Sequence, residues 1–163
     1  KISLPSALQG EIEAPNLAVG VIMQTLSGSG SRSSAGSGTS NISGGQFTSA
    51  NLHDADGNDI LTDLIFVTNV KAVGWRDNQG GGNVDIYGTA ISAIIRQSSS
   101  TVFTLASASS VSGTVNNIHT AKIGPLAQNT VYDLALTWSQ PSFSSHPGTG
   151  SVAISIFEVR RPS

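Results

Sequence analysis

Three aspartates stand close together in one short polar stretch, at Asp54, Asp56 and Asp59. With Asn58 between them, they offer carboxylate and amide oxygens, the ligands that Ca²⁺ prefers. The spacing departs from that of an EF-hand loop, because Gly57 comes too early and no Glu closes the loop. Asp and Asn beside Gly also form ordinary tight turns, in which the side chains bond the nearby backbone. The stretch therefore predicts either a plain polar turn or a calcium site, and the sequence indicates no other cofactor.

A second polar cluster follows an aromatic residue further along the chain. It comprises Trp75, Arg76, Asp77, Asn78 and Gln79, and three glycines come directly after it. In a sugar site, an aromatic ring covers the apolar face of the sugar while amides and carboxylates bond its hydroxyl groups. The same residue types are common at the tip of a β-hairpin, where the tryptophan would be buried beneath the turn. The cluster thus predicts a glycan-binding site or a hairpin tip.

The histidines and a pair of glutamates are the remaining candidates for chemistry. His53, His119 and His146 are far apart in sequence and lack the short spacings of metal-binding histidines. Glu11 and Glu13 would share one face of a strand, but they lie in a proline-flanked terminal stretch that favours a solvated pair. The sequence has no G-x-S-x-G motif, phosphate-binding loop or dinucleotide fingerprint. We therefore predict that the protein is not an enzyme.

The composition excludes several functional classes. The 163 residues suffice for one domain with a sizeable core, and 38% of them are hydrophobic whereas only 11% are charged. The formal net charge is −2 and no run of Lys or Arg occurs, so we predict no nucleic-acid partner. No apolar run approaches the roughly 20 residues of a membrane-spanning helix, so no membrane span is predicted. The chain has no cysteine, which rules out disulfides and cysteine-based zinc sites.

The candidate side chains are predicted to be positioned by β-strands, because apolar and polar residues alternate through most of the chain. Residues 1–16 contain two prolines and predict an extended N-terminal arm, and residues 17–163 predict one β-sandwich domain. Within that domain, residues 27–45 are rich in Gly and Ser and predict a flexible surface loop. Residues 60–75 predict one bent strand or two strands, with a helix at 60–67 as an alternative that β-branched residues disfavour. Further strands are predicted at 17–26, 84–96, 101–108, 114–123, 130–138 and 151–159.

The last two of these strands form the centre of the predicted fold. One carries Leu134, Leu136 and Trp138 on a single face, and the other carries Ile154 and Ile156. Because successive side chains of a strand point to opposite faces, these five residues are predicted to lie in the core. The Pro- and Gly-rich segment between the strands predicts one long antiparallel hairpin, with a bulge or change of partner where the second apolar pattern shifts. The predicted fold class is all-β, a single antiparallel β-sandwich.

The same region resembles a known class of domains. Its pattern, VYDLALTW, then a polar loop, then GSVAISIFEVRRPS, is similar to the last hairpin of β-sandwich modules in virus and phage surface proteins. These modules include fibre heads, capsid decoration proteins and the C1q/TNF-like heads of trimeric fibres. The resemblance covers about the last 30 residues. It implies a jelly-roll-like sandwich, a homotrimer and a place on the outside of a particle, and it implies no individual functional residues.

Two functions follow as expectations. The first is a non-enzymatic structural or attachment module of a virion or other extracellular assembly, with other virion or surface proteins as partners. It rests on the strand pattern, the missing catalytic motifs and the low charge, since a domain with few surface charges suits an oligomer subunit. The second is a carbohydrate-binding module or lectin, which rests on the cluster at 75–79. The expected location is extracellular or at the virion surface.

Overall fold

The computed structural model describes residues 22–33, 36–78, 84–140 and 148–161, with residues 77, 78 and 84–87 described by their backbone alone. Strands and their connections account for these ranges, and no helix that could cross a membrane occurs within them. The predicted arm at 1–16 lies outside the described residues. The strands are β1 (Ile22–Arg32), β2 (Gly36–Thr48), β3 (Thr62–Asn78), β4 (Val84–Tyr87), β5 (Thr89–Gln97), β6 (Ser100–Ser110), β7 (Gly113–Ile123), β8 (Val131–Gln140) and β9 (Thr149–Arg160).

Two antiparallel sheets pack face to face. One sheet has the order β1-β9-β3-β7, and the short β4 pairs with the end of β3 beyond β7. The other sheet has the order β2-β8-β5-β6. Apart from β3 and β4, and β5 and β6, which pair with each other, consecutive strands lie in different sheets. This is the double Greek-key arrangement of a jelly roll. The predicted fold class, a single antiparallel β-sandwich of jelly-roll type, is confirmed.

The core lies between the two sheets and consists of alternate residues of the strands. Leu134 and Leu136 of β8 and Ile154 and Ile156 of β9 are each at most 3% exposed, as predicted. Trp138 is partly buried and packs against the same cluster. Each aliphatic side chain removed from water in this way contributes roughly 1.5–3 kcal/mol. Other fully buried side chains of the core are Leu64, Phe66, Val70, Ile91, Ile95, Leu126 and Val152.

The predicted hairpin of the last two strands is wrong. β8 pairs with β2 and β5, whereas β9 pairs with β1 and β3 in the other sheet. Leu136 and Ile154 therefore reach the core from opposite sides. A strand with one buried face shows the same alternation whether its sequence neighbour lies beside it or across the core. Periodicity alone consequently identified both strands but not their partners.

Two strands also occupy most of the stretch for which the sequence predicted a flexible loop. β1 includes residues 27–32 and β2 includes residues 36–45. The overlooked signal is the alternation of Ser and Gly at a period of two, which turns serines outward and glycines inward. A Cβ placed on Gly28 would lie 2.7 Å from Cγ2 of Ile42 in the opposite sheet. The glycines permit close approach of the two sheets, so they reflect packing and not a linker.

The remaining predicted strands differ from the structure in detail. β3 is one strand of 17 residues, so neither a break within it nor a helix at 60–67 occurs. The segment predicted as one strand at 84–96 is divided at Gly88 into β4 and β5. A bulge or change of partner was predicted in the last strand, β9, but the register shift lies in β1, the strand that pairs with it. The register shifts between Ile22 and Gln24 of β1, while the buried positions of β9 continue to alternate through Glu158.

Candidate functional site

The aspartate cluster forms a compact turn between β2 and β3. Oδ1 of Asp54 accepts hydrogen bonds from the backbone N–H groups of Asp56, at 2.9 Å, and Asn58, at 2.8 Å. Oδ2 of Asp54 accepts a third hydrogen bond, from the Asn58 side chain at 3.0 Å. Gly57 has a φ of +85°, a conformation that glycine adopts without steric cost. These contacts are those of a turn closed by an aspartate side chain.

The hydrogen bonds also set the electrostatics of Asp54. The Asn58 side chain, and after it the Asn58 backbone N–H, stabilise the ionised carboxyl and lower the pKa of Asp54 below its usual 3.8. Loss of hydration raises the pKa of Asp54 by less than either of these two hydrogen bonds lowers it. Asp54 is therefore a carboxylate at neutral pH whose lone pairs are used by the turn itself.

Asp59 closes the same turn against His53. The two residues form an isolated β-bridge, and Nδ1 of His53 lies 3.1 Å from Oδ1 of Asp59. Within the described ranges, no three side chains of His, Cys, Asp or Glu lie close enough together to hold a metal ion. Turn contacts thus account for Asp54 and Asp59. The calcium site at Asp54, Asp56 and Asp59 stays an untested alternative to the plain turn.

The aromatic cluster lies largely in β3 and not in a loop. β3 pairs with β4 from Trp75 to Asn78, so Asp77 lies within this ladder, whereas Gln79 lies outside the described residues. Trp75 is 47% exposed and is therefore not buried beneath the hairpin. Arg76 is also exposed. Because adjacent residues of a strand point to opposite faces, Trp75 and Arg76 flank the strand and do not line one shared surface.

The other candidates do not converge within the described residues. His119 lies on β7, and its ring centroid is 5.8 Å from that of Phe66. It is exposed and far along the chain from the turn that holds His53. His146, Glu11 and Glu13 lie outside the described residues. Within the described ranges, these residues therefore form no metal-binding group.

A buried carboxylate that the sequence analysis did not single out is Glu158 of β9, which is 0% exposed. Its Oε1 accepts hydrogen bonds from the Thr62 hydroxyl at 2.6 Å and the Ala50 backbone N–H at 2.8 Å. Its Oε2 accepts one from the Gln24 side chain. Burial of a carboxylate is costly unless it is hydrogen-bonded in this way. The sequence signal is an acid at the inward position that follows Ile156, where the apolar pattern breaks.

Asp63 of β3 is a second fully buried carboxylate. Its Oδ2 lies 2.8 Å from Nζ of Lys122, and its Oδ1 accepts a hydrogen bond from Nε of Arg161 at 2.7 Å. Asp63 lies opposite Val159, the residue after Glu158. Since cross-strand partners share a face and adjacent residues do not, the carboxyls of Asp63 and Glu158 point to opposite faces of the sheet. They cannot act on one substrate as a pair of acid–base carboxylates.

Comparison with known proteins finds likeness among solved structures. No protein-family model and no curated protein sequence matches the chain. The structure of the Gx strain of infectious bursal disease virus matches with a TM-score of 0.36 and 14% identity, over 86% of this chain and 37% of that chain. The T13 viral particle matches with a TM-score of 0.32 and 13% identity, over 87% and 36%. The VP2 subviral particle matches with a TM-score of 0.30 and 15% identity, over 87% and 39%. The chain therefore spans less than two-fifths of the length of each of these neighbours.

Proposed function

We propose that this chain is a non-enzymatic structural module of a virion or other extracellular assembly. The observation that carries the proposal is the outer edge of β7. Among the described strands, β7 pairs with β3 alone, and residues 113–120 are all exposed. An edge strand offers unpaired N–H and C=O groups to another chain unless charge, proline or a covering segment protects it.

The composition of β7 supports an edge that a neighbouring chain covers. The strand has no proline, and its one charged residue apart from histidine is Lys122, which is engaged with Asp63. Val115 and Ile118 are 40% and 64% exposed on the strand. Contact with another subunit would bury these side chains and satisfy the free backbone groups together.

The arrangement of the buried acids supports a non-catalytic role. Both oxygens of Glu158 accept hydrogen bonds from the protein, and Asp63 forms ion pairs with two cations. Both groups therefore stabilise the ends of strands. We propose that the module lies on the outside of a particle as an attachment, fibre-head or decoration domain, forms a homotrimer and contacts other virion proteins.

The native mass of the chain tests this proposal. We expect light scattering or native mass spectrometry to give a multiple of the monomer mass, with three copies for the trimer. Ile118→Lys should shift the mass towards the monomer, because it places a charge at the centre of the β7 edge. Val131→Lys is the matched control, since Val131 is 47% exposed but lies on β8 in the other sheet. A parent chain that stays monomeric at every concentration would contradict the proposal.

A carbohydrate-binding function is the second candidate, favoured by the 47% exposure of Trp75. A glycan array on the whole chain tests it, because Trp75→Ala should abolish binding if the ring covers a sugar. Val67→Ala is a suitable control, since Val67 is 42% exposed on the same strand and the same face. Equal binding by both variants, or no binding by the parent, would remove this candidate.

A further inference from the structure

One tripeptide of the chain has the pattern of an N-glycosylation acceptor. Asn41, Ile42 and Ser43 form the sequence Asn-x-Ser, in which x is not proline. None of the other asparagines in the 163 residues is followed two positions later by Ser or Thr. Because Ser and Thr are frequent in this chain, the surroundings of Asn41, and not the pattern alone, decide whether the tripeptide can carry a glycan.

Both polar residues of the tripeptide point away from the core. Ile42 is 5% exposed and belongs to the core cluster, so its two neighbours, Asn41 and Ser43, point outward. Both of them are exposed. A glycan is bulky and hydrated, and only a surface position can carry it. The fold therefore meets the first requirement of an acceptor.

The backbone is irregular at the same point. Asn41 pairs with Ala135 of β8, and the ladder resumes only at Gln46, which pairs with Asp133. Residues 42–45 thus bulge out of the ladder, and Gly44 within them has a φ of +71°. Among the described strands, β2 pairs with β8 alone, so the bulge lies on an open edge of its sheet. An attached sugar has room on the solvent side of this edge.

Arg96 of β5 determines which atom of the Asn41 amide remains available. Nη1 of Arg96 donates a hydrogen bond to Oδ1 of Asn41 at 2.9 Å. Because arginine can only donate, this bond identifies the carbonyl oxygen of the amide. Nδ2, the atom that would carry the sugar, has no hydrogen-bond acceptor in the described part of the chain. An N-linked amide keeps its carbonyl oxygen, so glycosylation leaves the bond to Arg96 intact.

We infer that Asn41 is an N-glycosylation site. In the reaction, Nδ2 of Asn41 forms a bond to the anomeric carbon of the first sugar of a lipid-linked oligosaccharide diphosphate. The bond from that carbon to the diphosphate oxygen breaks, the lipid diphosphate leaves, and Nδ2 gives up one proton. The inference rests on the extracellular placement in the proposed function, because chains that enter the secretory pathway meet this sugar donor.

A glycan at Asn41 protects the open edge of the second sheet. Residues 36–48 contain no charged residue and no proline, two of the features that keep an exposed edge from pairing with another chain. The bulge interrupts this edge at residues 42–45 alone. A hydrated oligosaccharide at Asn41 excludes other chains from the neighbouring part of β2 as well. The β7 edge is then left for contact with another subunit.

Secretion from eukaryotic cells tests the inference on the whole chain, fused to a cleavable secretion signal. We expect intact-mass spectrometry to show one N-linked oligosaccharide, and peptide mapping to place it on Asn41. Asn117 is the internal control, since it is exposed and also precedes an isoleucine but has His119 in place of the hydroxyl residue. Ser43→Ala should lose the glycan although it keeps Asn41 and its bond to Arg96. Ser43→Thr, which keeps a hydroxyl group, should retain the glycan.

Light scattering over a concentration series tests the protective role. Ser43→Ala should form larger species at lower concentration than the glycosylated parent, because its β2 edge is uncovered. An unmodified Asn41 in the secreted, folded parent would overturn the inference, whatever the native mass of the chain. Equal association of the parent and Ser43→Ala would overturn the protection of the edge. A chain that is glycosylated but monomeric would confirm the site and contradict only the proposed assembly.

Discussion

Gly28 of β1 and Ile42 of β2 lie against each other across the two sheets, and a Cβ on Gly28 would come within 2.7 Å of Ile42 Cγ2. We therefore expect Gly28→Ala to destabilise the protein by about 1–3 kcal/mol, because the added methyl group overpacks the core. Urea unfolding measures the change. Ser29→Ala is the control, since Ser29 is exposed on the outer face, and its effect should stay within about 0.5 kcal/mol. Small, equal effects would contradict the packing of these strands.

Gly28 faces the core and its neighbour Ser29 faces solvent, and this alternation shows which parts of the fold the sequence can predict. Alternation reports which residues are buried, so it predicted Leu134, Leu136, Ile154 and Ile156 in the core. It does not report which strand lies beside which, because pairing depends on contacts between residues distant in sequence. The strands at 27–32 and 36–45 were overlooked for a related reason. Glycine at a core-facing position contributes no apolar side chain, so its burial leaves no hydrophobic signal.

Leu136 belongs to the core and is 3% exposed. Leu136→Ala should cost about 2–5 kcal/mol, the usual range for removing a buried leucine and leaving a cavity. Val131→Ala on the same strand should cost much less, because Val131 is 47% exposed. Urea unfolding gives both changes in stability from the shift of the midpoint, provided that the slope of the unfolding free energy against urea concentration is unchanged. A near-neutral effect of Leu136→Ala would contradict the placement of β8 against the core.

The polar sites show the same division between local and distant contacts. The turn at Asp54 could be predicted because its partners, Asp56 and Asn58, lie within four residues. The Glu158 network could not, because its partner Gln24 is 134 residues away in sequence. The sequence showed an acid in an otherwise apolar strand, and only the fold shows which donors face it.

Glu158→Gln should destabilise the protein by about 1–3 kcal/mol, although the two side chains have nearly the same shape. Both carboxylate oxygens accept hydrogen bonds, so the amide N–H₂ must face either the Thr62 and Ala50 donors or the Gln24 donor. In the first orientation the Ala50 N–H loses its acceptor. In the second, the Gln24 side chain loses this bond or must turn over and give up its bond to the Thr48 carbonyl. Urea unfolding measures the loss.

The same acid-to-amide change at an exposed hydrogen bond is the control for Glu158. Asp133 accepts a hydrogen bond from the exposed Gln46 side chain at 3.0 Å. Asp133→Asn should change stability by no more than about 0.5 kcal/mol. If Glu158→Gln is as mild as Asp133→Asn, the buried network does not stabilise the fold.

The lowered pKa of Asp54 predicts a pH dependence of the turn. A carboxyl whose folded pKa lies below the unfolded value contributes stability at neutral pH that is lost as the pH falls below about 3.8 and through the folded pKa. The chemical shift of the Asp54 carboxyl carbon, followed from pH 7 downwards, should give a midpoint below 3.8. Removing the Asn58 side-chain donor with Asn58→Ala should raise that midpoint. A parent midpoint at or above 3.8 would contradict the hydrogen-bonded turn.

Calcium should leave the stability of this turn unchanged. The oxygens of Asp54 are engaged by N–H donors of Asp56 and Asn58, and Asp59 faces His53, so a cation would have to displace these contacts. We expect the same thermal midpoint in millimolar calcium and in excess chelator, because a ligand stabilises the folded state only if it binds there. Asp56→Ala is measured under both conditions as the matched variant. If calcium instead raises the midpoint of the parent and not of Asp56→Ala, the three aspartates bind the ion and the turn rearranges to hold it.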